Sequence, residues 1–187
     1  MGKYLKLTGG SYKGRRLYVP KTGTRPATNR VREAVFNVVY NFFNQGVKGL
    51  DVLDLFAGSG SLGLEALSRG AASCTFVDND PNAVRSIRKN IELLSLKGEV
   101  ISTTAHAYLK AKKALHFELI FMDPPYNYTA CAEVVRLLRE AIDGKLSPVL
   151  IYERSYKERI PDFGNNVLLL KRKRYGQTEL LYYRIEK

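Results

Sequence analysis

Between residues 50 and 152 the chain alternates short, almost wholly apolar runs with longer stretches in which apolar residues recur every three or four positions. The runs at 50–56, 73–77, 99–103, 117–122 and 149–152 read as strands buried on both faces. The stretches at 61–69, 81–95, 105–114 and 129–143 read as helices. Such an alternation predicts a parallel sheet covered on both sides, and right-handed crossovers then give a doubly wound, Rossmann-like α/β topology.

The two ends are patterned differently. Residues 4–7 and 16–19 read as a short hairpin punctuated by Gly9-Gly10 and Lys13-Gly14, and 20–27 as a loop. From Thr28 onward, Val31, Val35, Val38, Val39, Phe42 and Phe43 fall at helical spacing, with Thr28 or Asn29 as N-cap and Gly46 as stop. Arg30 and Arg32 lie off that stripe, which predicts that both face a partner. At the far end, 167–173 and 179–185 flank Tyr175-Gly176-Gln177 as an antiparallel hairpin. The expected whole is a basic hairpin-and-helix extension over 1–48, followed by an α/β domain over 49–187. Its sheet would be seven-stranded and mostly parallel, closed by the C-terminal hairpin.

Charge adds a partner to this picture. The 187 residues carry 30 Lys+Arg against 18 Asp+Glu, a net charge of +12. Residues 1–49 contribute +9, the middle is almost neutral at −1, and residues 150–187 add +4. Solubility needs only about 2–8 charges spread over a small domain, so a concentrated +9 predicts a polyanion, most simply nucleic acid. No apolar run approaches the ~18 residues of a membrane span. The first twenty residues do not read as a signal peptide, and Cys74 and Cys131 have no metal-ligand spacing. A monomer in a reducing, cytoplasmic setting, with no membrane partner and no metal, is the expectation.

Two motifs carry candidate chemistry. Asp54-Leu-Phe-Ala-Gly58-Ser-Gly60-Ser-Leu-Gly63 follows a strand and opens a helix, with Asp78 ending the next strand. Glycines there let the backbone approach a ligand, and the downstream carboxylate suits ribose hydroxyls. A dinucleotide and S-adenosylmethionine (SAM) both fit. Asp54, four residues before Gly58, favours SAM, because its charge opposes a pyrophosphate but suits an ammonium and a sulfonium. The second motif, Asp123-Pro124-Pro125-Tyr126, follows the fourth sheet strand, at the same rim. Its prolines contribute no N–H, so carbonyls and the Asp123 carboxylate remain to accept hydrogen bonds from an exocyclic amino group while Tyr126 stacks on the base ring. That arrangement selects SAM and predicts in-line methyl transfer to nitrogen, driven by positioning and electrostatics. These residues alone serve guanine N2, adenine N6 or cytosine N4 equally. A protein on this fold that binds RNA without catalysis is the further alternative.

Together with Gly9-Gly10, Lys13-Gly14-Arg15-Arg16-Leu17, the stretch from Arg25-Pro26 through Arg30-Val31-Arg32-Glu33 to Asn37, and Tyr175-Gly176-Gln177-Thr178, these motifs resemble the RsmD-type family. Its members are bacterial class I SAM-dependent methyltransferases that modify the N2 amino group of a guanine in small-subunit (16S) rRNA. The resemblance runs nearly the length of the chain. It implies that Asp54, Phe56, Gly58, Gly60 and Gly63 line the methionine and ribose of SAM, and that Asp78 takes the ribose hydroxyls. It further implies that Asp123, Pro124, Pro125 and Tyr126 hold an extruded guanine, the substrate being 16S rRNA or an assembling small subunit. Two positions depart from the family. Thr104, before Ala105, stands where Asn or Asp usually meets the adenine amino group, so that contact falls to these two residues and their backbone. Ala27 stands where Thr is usual. For the phosphate-facing patch the basic residues to expect are Arg15, Arg16, Arg25, Arg30 and Arg32, with Lys171 to Arg174 a second basic run. His106 and His116 have no metal-like partners in sequence. Tyr128 could either close over the substrate or be an ordinary loop residue.

Overall fold

A computed structural model describes residues 4–20 and 28–186. Among these residues the chain forms nine strands and five helices. A two-stranded antiparallel hairpin, β1 (Leu5–Lys6) and β2 (Arg16–Leu17), comes first, and α1 (Asn29–Phe42) follows. Then the α/β alternation begins: β3 (Asp51–Leu55), α2 (Ser61–Ser68), β4 (Ser73–Asp78), α3 (Pro81–Leu93), β5 (Gly98–Ser102), α4 (Ala105–Ala111), β6 (Leu119–Met122), α5 (Cys131–Ala141) and β7 (Val149–Ser155). The closing hairpin is β8 (Val167–Tyr175) and β9 (Thr178–Ile185). The main sheet has the order β5-β4-β3-β6-β7-β9-β8. β3 to β7 pair in parallel, and β9 pairs antiparallel with both β7 and β8. The expected Rossmann-like architecture is therefore present, and its strand order reverses between β3 and β6.

Local sequence explains the elements. Thr28 caps α1 by accepting from the Val31 N–H at 3.3 Å, and Asp80 caps α3 ahead of Pro81 at N1. The apolar β strands pack a helix layer on each face. α1, α2 and α3 share one core cluster with Leu5, Leu7 and Leu17 of the hairpin, and α4 and α5 cover the other face. The basic N-terminal segment thus packs into the same core as the sheet. Asn90 of α3 extends that packing: its amide accepts from Tyr18 N–H at 2.9 Å and donates to Tyr18 O at 2.8 Å.

Two sequence expectations change here. Arg32 is not on the surface: it is fully buried, whereas Arg30 is exposed. α1 is covered on a second side by the hairpin and α2, which no single apolar stripe could reveal. Arg32 donates to Lys6 O at 2.6 Å and Asn29 Oδ1 at 2.9 Å, and lies 3.7 Å from the equally buried Glu65. The other change concerns β7. It runs on to Ser155, past the apolar residues that end at 152, because β9 continues to pair with it as far as Ser155↔Thr178. This continuation brings Glu153 onto the rim.

Candidate active site

The reversal of strand order between β3 and β6 opens a crevice at their carboxyl ends, where open α/β sheets bind ligands. Both motifs emerge there. Phe56 leaves β3 with a left-handed φ of 60°, and Gly58 and Gly60 continue the turn at 54° and 70°. A Cβ on Gly60 would meet Ile87 Cγ1 at 2.8 Å, so the turn is tight against α3. Gly63 sits deeper. A Cβ there would lie 2.3 Å from the Phe76 ring and 2.6 Å from Cys74 Sγ, so this glycine serves the close packing of α2 on β4. Its N–H donates to Asp54 at 3.0 Å.

The carboxylates of the glycine loop differ sharply in setting. Asp54 is 2% exposed, and burial pushes its pKa up to about 8, the Asp78 charge adding to the rise and the Gly63 N–H opposing it. Its side chain therefore lies deep, where ionisation awaits a positive charge. Asp78 ends β4 with both oxygens engaged by the loop: Oδ2 accepts from Gly58 N–H at 2.6 Å and Oδ1 from Asp80 N–H at 2.8 Å. A carboxylate has about four acceptor positions, so some remain beyond these two backbone donors. Thr104 caps α4 by accepting from Ala107 N–H at 3.1 Å, and Ala105 behind it is buried. Thr103 N–H donates to Asp78 O at 3.0 Å, which fixes this loop beside the glycine turn.

On the β6 side, Asp123 and Pro124 are half-buried, Pro125 is exposed, and Tyr126 is 63% exposed with its ring open to a partner. The loop is braced by Tyr128 N–H donating to Pro125 O at 3.1 Å and by Asn127 N–H donating to Glu158 at 3.0 Å. Tyr128 then packs edge-on against Phe56, ring centroids 5.1 Å apart, and so ties the two loops together. Asp123 is held well above the carboxylate range, first by burial and then by the negative charges of Glu153 and Asp54. Glu153 itself is pushed up to about 7 by burial. The sequence reading missed Glu153. The signal available was its position: one residue past a fully apolar strand, as Asp123 is on the neighbouring strand.

The arginines expected to face a partner separate. Arg15, Arg16 and Arg30 are exposed, Arg32 is buried, and Arg25 lies outside the described residues. Arg15 and Arg16 border a basin of about 570 Å³ with Leu93, Leu94 and Ser95, at the C-terminal end of α3. α3 starts at the rim and has 13 residues, which at ~1.5 Å each places this pair ~20 Å from the crevice. Arg85, Arg88 and Lys89 on α3 are exposed between the two places. In the second basic run, Arg172, Lys173 and Arg174 are exposed and Lys171 half-buried, with Arg172 donating to Glu179. His106 pairs with Glu133 at 2.9 Å on the surface.

Residues 5–184 match the family model described as Conserved hypothetical protein 95. A relative named ribosomal RNA small subunit methyltransferase D, from Escherichia coli K12, is 36% identical over 97% of this chain and 90% of its own length. Another of the same name, from Haemophilus influenzae, is 35% identical over 96% of this chain and 93% of its own. The chain belongs to this family. Among solved structures, the Escherichia coli protein yhhF superposes on this family member with a TM-score of 0.86 at 32% identity, covering 98% of this chain and 99% of that one. The likeness spans the N-terminal hairpin as well as the sheet.

Proposed function

We propose that the chain transfers a methyl group from SAM to the exocyclic N2 of a guanine in small-subunit (16S) rRNA. Family membership supports rRNA methylation. The observation that carries the chemistry is the meeting of a glycine turn after β3 and Asp123–Tyr126 after β6 at the strand-order reversal between those two strands, joined by Phe56 and Tyr128. The residues fit SAM: Asp54 is a buried carboxylate without a cationic partner among the described ion pairs, and a ligand bearing ammonium and sulfonium charges would restore its ionisation. To the Asp78 carboxylate, at the tip of β4, we assign the ribose hydroxyls. SAM supplies the electrophilic methyl carbon.

The remaining work falls to the chain. Guanine N2 lies on the base-pairing edge, so the base must be unpaired or extruded to reach the crevice. Tyr126 offers its exposed ring for stacking, a contact of about 1–3 kcal/mol. Asp123 and the Pro124 carbonyl accept the amino hydrogens, which aligns the nitrogen lone pair with the methyl carbon and favours a pyramidal, nucleophilic nitrogen. A bound sulfonium would favour the ionised form of Asp123, whose raised proton affinity then suits it to take the proton that the methylated nitrogen releases. Arg15, Arg16 and Arg30 hold RNA phosphates, and the distance from hairpin to rim fits an extended RNA footprint. No helix among the described residues is long and apolar enough to cross a membrane; a monomer acting in the cytoplasm on rRNA, within an assembling subunit, completes the proposal.

The test is labelled-SAM transfer to rRNA and partly assembled small subunits from a strain lacking the enzyme, followed by nucleoside mass analysis. Label in N2-methylguanosine is the expected result. Label in N6-methyladenosine or N4-methylcytidine, or none at all, would overturn the assignment.

A further inference from the structure

We propose that Glu153 reads the target base, its carboxylate accepting the ring N1–H of guanine beside the amino group held by Asp123. The inference deepens the guanine-N2 reading above and rests on it. β6 and β7 pair in parallel with Met122 opposite Tyr152, so Asp123 and Glu153 are the next residues out on adjacent strands. Adjacent strands lie ~4.8 Å apart. Alternation along each strand places both side chains on the α1 face, the face of Phe121 and Ile151, because Met122 and Tyr152 belong to the opposite cluster. Asp54 of β3, next in line, shares that face. The Glu153 charge is felt at Asp123, second only to burial.

Glu153 also has one oxygen that lacks an internal partner. Its Oε2 is sealed from solvent and makes no hydrogen bond among the described residues, although buried polar atoms are almost always paired. Its strand neighbour Arg154 is by contrast paired with Glu179. The Tyr182 hydroxyl, on the same face of β9, also makes no hydrogen bond among the described residues, and it senses the Glu153 charge. An acceptor waiting beside the amino-group clamp has a matching ligand edge. Guanine presents N1–H and N2–H side by side, two donors for two carboxylates. Adenine and cytosine set a bare ring nitrogen next to the amino group, and above a pH of about 7, where Glu153 is ionised, its carboxylate repels that lone pair. Asp123 would thus grip any nucleobase amino group, whereas Glu153 would select the base that carries it.

Substrates that differ only at this edge provide the test. Once mass analysis has located the methylated nucleotide, small-subunit rRNA is prepared with guanine or 2-aminopurine at that position and assembled into particles. 2-Aminopurine keeps the amino group, but its N1 is an acceptor and it lacks O6. The unaltered enzyme is expected to lose about 10- to 100-fold in kcat/KM on 2-aminopurine, the cost of an unmatched charged acceptor. Glu153→Gln, whose carboxamide can donate to that N1, is expected to lose a similar factor on guanine, so that the guanine preference collapses while SAM affinity is unchanged. Glu153→Asp keeps the charge one methylene further back and is expected to show an intermediate preference. A guanine preference identical in all three proteins overturns the role of Glu153 while leaving guanine methylation intact. Methylation of a different base by the unaltered enzyme overturns both readings together.

Discussion

Removing either side of the buried Arg32–Glu65 pair separates a structural arginine from an RNA contact. Glu65 is fully buried and accepts from Thr8 N–H at 2.9 Å, the Thr8 hydroxyl at 2.8 Å and Arg69 Nε at 2.9 Å, with Arg32 at 3.7 Å. Glu65→Leu removes the larger of the two negative charges that act on the buried Arg32, Glu33 being the smaller, and takes the acceptor from the Thr8 N–H. Breaking a buried pair from this side costs about 3–5 kcal/mol. Arg32→Met is milder, because Glu65 keeps Arg69 and Thr8, and the loss includes the donor to Lys6 O and Asn29. That amounts to about 1.5–3 kcal/mol, or a fall in Tm of roughly 3–12 °C for a chain of this size. The double variant should cost less than the sum of the two, since the interaction between the two side chains is then lost only once. Urea unfolding followed by circular dichroism gives the three values, and filter binding of rRNA at several salt concentrations gives the second readout. Folded Arg32→Met should show the same salt slope as the unaltered chain. Unchanged stability with a salt slope smaller by about one would refute the structural assignment and return Arg32 to the RNA surface.

Other consequences are equally direct. Asp123→Ala should abolish detectable methyl transfer while SAM binding, read by calorimetry, is nearly retained; undiminished turnover would remove its catalytic role. With ~6 phosphate contacts, rRNA affinity should fall on the order of a thousandfold between 50 and 200 mM salt, and Arg15→Ala or Arg30→Ala should each reduce that slope by about one. Asp54 titrates at about 8 in the folded chain, raised from 3.8, so the folded state holds its proton more tightly than the unfolded one. Its contribution to stability is full below the unfolded value and is lost as pH rises through about 8. Asp54→Asn should therefore flatten the decline in stability of the SAM-free protein across that range, as read by urea midpoints. Gly63→Ala should cost about 1–3 kcal/mol through overpacking against Phe76 and Cys74, visible as a lowered urea midpoint.

Much of this was legible in the residues because period and punctuation are local. The apolar runs sit where the parallel strands are, Thr28 caps α1, and the two motifs fall at the strand ends that the topology brings together. What escaped was tertiary. Arg32 falls off the apolar stripe of α1, and Glu65 and the Lys6 carbonyl, which help to make its burial favourable, arrive from distant segments. Gly63 resembles a ligand-facing glycine in the motif, yet its constraint comes from the β4 side chains beneath it. Glu153 was hidden by polarity. A strand defined by apolar residues ends at 152, and the antiparallel partners that prolong it, Thr178 to Leu180, lie far downstream.

The account turns on one juxtaposition, and a crystal structure of the chain bound to demethylated SAM and its RNA tests it most directly. The prediction is a guanine turned out of its strand and resting on Tyr126. Its N2 should lie within hydrogen-bond reach of Asp123 and about 3–3.5 Å from where the transferred methyl would sit. A cofactor sulfur remote from residue 123, with no passage for a base between them, would contradict it.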